Sequence, residues 1–347
     1  MTHPPGRLRG RVLPTRSMFR RRAVLPLAAA LLASGCGRGT GTGDPVRVTV
    51  PNGAAFGQVA DSLARRDVVG SGFLFSLYAR FSGATGSIQP GTYAFRPGMS
   101  WKAILRDLRE GNTVTLRLVI PEGWDLTRIA PRLAELTGNE PDSLLALLAD
   151  PATAGRLGVP GPTLEGYLYP ATYSFGVEVP LDTILRQLVA AYRRVWTAAR
   201  QARAHSLGLS EREVVTLASI VEKEAKVAGE LPTIAAVYHN RLRIGMALQA
   251  DPTVQYALGT RKERLLYSDI DSVADNPYNT YRHPGLPPGP IGSPSERALD
   301  AVLRPADVRY LYFVANPDGS HTFTSSLEDH NRAKAASRRA ARAARQP

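Results

Sequence analysis

The residues best placed for acid–base chemistry lie between Ser210 and Gly259. Ser210-Glu211-Arg212-Glu213 has the form of a capping box. The apolar period that follows predicts a helix to about Ala228, with Gly229 closing it. At 100° per residue, Val214, Leu217, Ala218, Ile220, Val221, Ala225, Val227 and Ala228 form one wide arc. Lys223 and Lys226 fall outside it, and Glu222 lies just beyond its edge. Glu224 falls inside, between Ile220 and Leu217 in angle. Glu213 shares that side, but its place in the first turn is explained by capping. A carboxylate on a buried face is costly unless it is paired or protonated. A neutral carboxylic acid is what a general acid must be at neutral pH. The helix alone leaves a second reading open, in which Glu224 is a structural ion-pair partner of Arg241 or Arg243.

The surrounding elements must hold any substrate. A second helix, Pro232 to Leu242, is closed by Gly245. Gln249, Asp251 and Thr253 then lie in a stretch read as a loop stiffened by Pro252. Asn276-Pro277-Tyr278-Asn279-Thr280-Tyr281 offers amides and two phenols, of which Tyr278, Asn279 and Tyr281 are candidate sugar contacts. Gly285 to Ile291 reads as a stiff cleft wall. Glu165, in Leu164-Glu165-Gly166-Tyr167-Leu168-Tyr169-Pro170-Ala171-Thr172-Tyr173, is a further polar candidate, with a turn or cap role as its alternative. Leu181 to about Ser206 is one long amphipathic scaffold helix.

SIVEKEA, followed by AAVYHNRL, GMALQADPTVQYALG, YNTY and GLPPGPI, resembles the endolytic murein transglycosylases of the MltG (YceG-like) family over roughly Val46 to Asn331. The resemblance implies cleavage of the β-1,4 bond between N-acetylmuramic acid and N-acetylglucosamine in peptidoglycan, leaving a 1,6-anhydro-muramyl end. It places the catalytic glutamate on Glu224, in agreement with the helical wheel. The family usually carries an acid where Ala171 stands, so any role of that acid must be absent or supplied elsewhere, for example by Glu165. His321 and His330 resemble family positions and are left outside the catalytic set.

The fold class expected is α+β, a small LysM-like module followed by a larger mixed α/β catalytic domain. Val46–Val50 alternates like a strand. Helices over Phe56–Arg65 and Gly72–Phe81, a strand ending at Phe95 and a helix over Trp101–Arg109 complete the first module. The resemblance implies a LysM-like domain that binds N-acetylglucosamine chains; a packing role is the alternative. Thr113 to Ile120 reads as a strand, and the helix after it should start late, near Thr127, or kink at Pro131. Val50-Pro51-Asn52-Gly53 and Ile120-Pro121-Glu122-Gly123, each followed by a helix, read either as a weak internal repeat or as the same turn chemistry used twice, and two copies do not decide between these. Arg309–Ala315 and His321–Phe323 read as a hairpin.

The formal charge of +13 misleads about partners. Seven of the 43 basic residues lie in residues 1–22 and six in residues 332–347, both free of acids, and the rest balance the 30 acidic residues. A neutral body argues against nucleic acid; basic tails suit anionic lipid or a topology signal. The single Cys36 allows no disulfide within the chain, and no His/Cys cluster has metal-ligand spacing. No cofactor is expected.

Met18 to Arg22, the apolar run Ala23–Leu32 and Ala33-Ser34-Gly35-Cys36 form a secretory signal with a lipobox-like end, which makes Cys36 a candidate for acylation. Leu32 stands four residues before the cysteine rather than three. The run is short for a bilayer span; an uncleaved anchor and a secreted form are the alternatives, and Met18 is an alternative start. The expected organisation is a signal over 1–36, a flexible tether over 37–45, the LysM-like domain over 46–115, a connecting region over 116–160, the catalytic domain over 161–331 and a basic tail over 332–347. The body then lies in the cell envelope, on the outer side of the cytoplasmic membrane, facing glycan strands and, by the family analogy, peptidoglycan synthases.

A lytic transglycosylase needs no second carboxyl to activate water, because the muramic acid C6 hydroxyl attacks its own anomeric carbon. One group can donate a proton to the leaving oxygen and then accept one from that hydroxyl. The rivals are a hydrolytic muramidase with Asp251 or Glu230 as second carboxyl, and a non-catalytic peptidoglycan-binding scaffold.

Overall fold

The computed structural model describes residues 41–343. The acylation candidate Cys36, the apolar run and the first part of the tether lie outside the described residues. Among the described residues, no helix is long and apolar enough to cross a membrane. The chain divides into two compact units between Val114 and Thr115.

The first unit runs β1 (Val46–Val50), α1 (Phe56–Arg65), α2 (Gly72–Phe81), β2 (Gly91–Phe95) and α3 (Trp101–Glu110). Ser71 caps α2 by accepting from the Leu74 N–H at 3.3 Å, and Ser100 caps α3 by accepting from Ala103 at 3.3 Å. Gly111 ends α3 in the left-handed conformation at φ 72°. β1 and β2 pair antiparallel, with Val48 opposite Tyr93. Val48, Val59, Leu63, Phe75, Tyr93, Phe95, Ile104 and Leu108 make the core, and each comes from the inward face that its element's period exposes.

The second unit opens on a similar plan, with one helix more between its paired strands. β3 (Thr115–Ile120) leads into α4 (Leu126–Thr137), α5 (Pro141–Leu148) and α6 (Pro151–Arg156), and β4 (Ala171–Gly176) returns antiparallel to β3. Leu118 stands opposite Tyr173, as Val48 stands opposite Tyr93. Both turns place their glycine at positive φ, 75° at Gly53 and 72° at Gly123. The hydroxyls of Tyr93 and Tyr173 each donate at 2.6 Å to the carbonyl four residues earlier, Gln89 and Tyr169. Each tyrosine stacks on the phenylalanine two residues on. The weak repeat in the sequence is therefore repeated structure, with register and side-chain bonds in common. α4 runs through Pro131, and Asp125 caps it at Arg128.

The long helix expected over Leu181–Ser206 is two, α7 (Leu181–Val195) and α8 (Ala198–Ser206). Thr197 interrupts it by accepting from the Arg200 N–H and serving as a cap. α9 (Glu211–Glu224) is the central helix, with every residue from Val214 to Val221 buried. α10 (Leu231–Arg243), α11 (Asp251–Leu258), α12 (Tyr267–Ser272) and α13 (Glu296–Leu303) follow. The hairpin of β5 (Tyr312–Ala315) and β6 (His321–Thr324) and the exposed α14 (Leu327–Ala343) complete the unit. Residues 116–160 share one hydrophobic core with the rest of this unit. The helix-dominated units with small antiparallel sheets are an α+β arrangement.

Candidate active site

α9 ends on Glu224, four residues short of the expected Ala228. Ala225 is already extended, at φ −75° and ψ 122°, and Ala228–Glu230 form a separate 3₁₀ turn. The wheel extended the apolar arc through Val227, which is 41% exposed. A tertiary contact draws the chain away: Glu230 accepts from the His321 backbone N–H at 2.9 Å, and its other oxygen lies 2.7 Å from His321 Nδ1. Glu224 therefore stands at the C-terminal end of a helix, where unsatisfied carbonyls disfavour a negative charge.

The Glu224 side chain keeps a partial opening while protein surrounds its carboxyl. Burial pushes its pKa up to about 7, the neighbouring Asp251 charge adds to the rise, and a hydrogen bond from Tyr238 and the Arg241 charge oppose it. Tyr238, buried on α10, donates its hydroxyl to Glu224 at 2.8 Å. Neither Arg241 nor Arg243 pairs with Glu224. Arg241 is buried and donates to the carbonyls of Leu311 at 2.7 Å and Leu248 at 2.6 Å. Its guanidinium also lies over Tyr312. Arg243 donates to Asn240.

Glu222, read from the wheel as a solvent-edge residue, accepts from the Ser295 N–H at 3.0 Å and its hydroxyl at 2.5 Å. It braces the start of α13. Lys223 turns to Asp125, at 3.4 Å.

The two polar segments are laced together. The Gln249 N–H donates to the Thr280 carbonyl at 3.1 Å, and the Ala250 N–H to the Thr280 hydroxyl at 3.0 Å. The Thr253 and Thr280 hydroxyls are 2.8 Å apart. Asp251 and Thr253, expected in a loop, lie in the first turn of α11, where Pro252 needs no N–H partner. Gln249 is exposed and strained, at φ 46°. Asp251 is exposed and accepts from the Tyr281 hydroxyl at 2.5 Å. Glu224, Tyr238, Arg241, Asp251 and Tyr281 form one electrostatic neighbourhood.

Thr253 and Asn279 are fully buried. Asn279 donates to the carbonyls of Ile270 and Val273 at 2.9 and 3.1 Å. Both residues hold backbone in place. Tyr278 is part-exposed, with its ring 4.8 Å from that of Tyr256. A Cβ on Gly289 would come within 3.3 Å of the Tyr278 hydroxyl and 3.2 Å of Pro162, so the Pro/Gly loop packs closely behind this ring. Glu165 is 2% exposed. It accepts from the Leu126 N–H at 3.1 Å and the Tyr256 hydroxyl at 3.2 Å; its bonds are to the protein's own framework. Tyr238 and Tyr256 had no role assigned from sequence, and Arg241 was read only as a candidate ion-pair partner of Glu224. Tyr238 lies fourteen residues from Glu224, and only the crossing of α9 and α10 brings the two together.

The chain matches the model of the YceG-like family over residues 48–336. It is 34% identical over 305 residues to a Bacillus subtilis protein named endolytic murein transglycosylase, a match covering 83% of this chain and 84% of the relative. A Streptococcus pneumoniae protein of the same name is 31% identical over 317 residues, and this chain spans 57% of its length. The crystal structure of a YceG-like protein from Listeria monocytogenes has a TM-score of 0.58 and 34% identity, covering 83% of this chain and 98% of that one. A family match spanning both units, and relatives above 30% identity along most of the length, agree with the site just described: the chain belongs to the YceG-like family.

Proposed function

We propose that this protein is an endolytic lytic transglycosylase that cuts the β-1,4 bond between N-acetylmuramic acid and N-acetylglucosamine in nascent peptidoglycan, leaving 1,6-anhydro-muramyl ends and limiting strand length. The observation that carries this is Glu224, a half-buried carboxyl at a helix C-terminus that accepts from the Tyr238 hydroxyl and is held near the pKa of a group that must both give and take a proton. Glu224 protonates the leaving glycosidic oxygen. It then accepts the proton of the C6 hydroxyl as that oxygen closes on the anomeric carbon. Tyr238 orients the carboxyl through its hydrogen bond. The Asp251 charge helps keep the proton on Glu224 and favours the positive charge that develops on the sugar. The reaction draws only on side chains and a hydroxyl of the substrate.

Gln249, Asp251, Tyr278 and Tyr281 are the proposed sugar contacts, with Thr253, Asn279 and Glu165 acting from the framework behind them. The β–α–α–β order of the first unit supports the LysM-like reading, and that unit is proposed to hold N-acetylglucosamine chains.

The exposed Asp251 near Glu224 favours one other reading, a hydrolytic muramidase. Glu230 is engaged by His321 and is a poor second carboxyl. Mass spectrometry of products from purified peptidoglycan separates the two readings. Anhydro ends, one water lighter than hydrolytic ends, are expected. Hydrolytic ends would overturn the transglycosylase reading, and no new ends would leave a scaffold.

The body is proposed to stand in the envelope beside a glycan polymerase, tethered by a lipid on Cys36. In cells fed labelled palmitate, the parent protein should carry label and Cys36→Ser should not. Equal labelling of the two would favour an uncleaved anchor.

A further inference from the structure

Glu165 sits in the turn before β4, sealed from solvent. Its Oε2 takes both of its hydrogen bonds, from the Leu126 N–H that begins α4 and from the Tyr256 hydroxyl on α11. Its Oε1 is buried and has no partner. Asp125 faces it from the start of α4, Lys223 from α9, and Tyr256 from α11; Tyr278 is also within its field. Lys223 is already paired with Asp125. Tyr256 in turn packs on Tyr278, at an interplanar angle of 49°. α11, which carries Tyr256, begins with Asp251.

We infer that Glu165 is a positioning residue: by anchoring the Tyr256 hydroxyl it sets the Tyr256–Tyr278 pair and the helix bearing Asp251, and so shapes the surface that binds the glycan. A buried carboxyl oxygen without a donor suits an acid that keeps its proton. Burial pushes the Glu165 pKa up to about 8.

This inference uses the transglycosylase reading for its assay. Glu165→Ala, Glu165→Gln, Tyr256→Phe and Glu165→Ala/Tyr256→Phe are made in the full chain. KM and kcat for anhydro-product release are measured at neutral pH. Tyr256→Phe keeps the ring and loses the anchor, so KM should rise about five-fold, the worth of one hydrogen bond, with kcat little changed. Glu165→Ala should raise KM at least as much, and the double variant should be no worse than Glu165→Ala alone. Glu165→Gln offers a neutral oxygen to both donors. It should recover most of the affinity that Ala loses.

Unchanged KM in Tyr256→Phe, or effects that multiply in the double variant, would overturn the inference. So would a Glu165→Gln protein whose KM is no better than that of Glu165→Ala. If Glu165→Ala does not fold, Tyr256→Phe and Glu165→Gln still decide the matter. An active Glu224→Gln protein would instead fell the reaction assignment and leave these KM comparisons standing.

Discussion

Glu224→Gln is expected to fold normally and to lose anhydro-product formation by about 10²–10⁴-fold, the usual worth of general acid–base catalysis. The amide keeps an oxygen for the Tyr238 hydroxyl but has no proton to give. The stability of the parent protein should respond to pH in a way that a structural ion pair would not. The folded pKa of about 7 lies above the ordinary 4.5, so the folded state holds a proton that the unfolded chain has released. The stability this contributes falls as pH rises from about 4.5 and is gone above about 7. Glu224→Gln should abolish that slope and melt no lower than the parent at alkaline pH. Glu222→Gln should behave in the opposite manner: it weakens the bonds to Ser295, so its melting point should fall while most activity per folded molecule remains. A stable Glu224→Gln protein with near-parent activity would end the assignment, and inactivation by Glu222→Gln without loss of stability would move the role to that residue.

Arg241→Met should be the most damaging single change to stability around the site. It strands the carbonyls of Leu248 and Leu311. Buried groups left unpaired cost about 1–3 kcal/mol each, so a loss of roughly 2–6 kcal/mol is expected. At about 2–4 °C per kcal/mol for a domain of this size, the melting point should fall by roughly 4–24 °C. Activity should change in a second way. The Arg241 charge lowers the Glu224 pKa, so its removal should move the alkaline limb of kcat to higher pH. Asp251→Asn removes a charge that raises that pKa, and the limb should move to lower pH. Thermal melts and pH–rate profiles of the two variants check both signs. A shift in the same direction for both would contradict the arrangement of charges around Glu224.

Local signals alone determined much of this molecule. Capping residues and apolar period located α1, α2, α10 and the start of α9, because those features act between residues a few positions apart. The position of Glu224 within the buried arc was legible for the same reason, and the string of motifs tied it to a family of glycan-cleaving enzymes. Other features depended on residues far apart in the chain. The end of α9 is set by the grip of His321 on Glu230, across 91 residues. The split of α7 from α8 is an exception, a local cap at Thr197 that the continuous apolar period concealed. The paired tyrosines of β2 and β4 made a doubtful repeat into a structural one, since strand register is a relation between distant segments. Burial decided which polar residues can meet a ligand: Thr253 and Asn279 share their sequence blocks with Asp251 and Tyr281, yet the fold encloses both, as it does Glu165, and leaves the carboxylate of Asp251 open to solvent. A sequence specifies which groups are present, whereas the pKa of a carboxyl and the reach of a hydroxyl depend on what the folded chain packs around them.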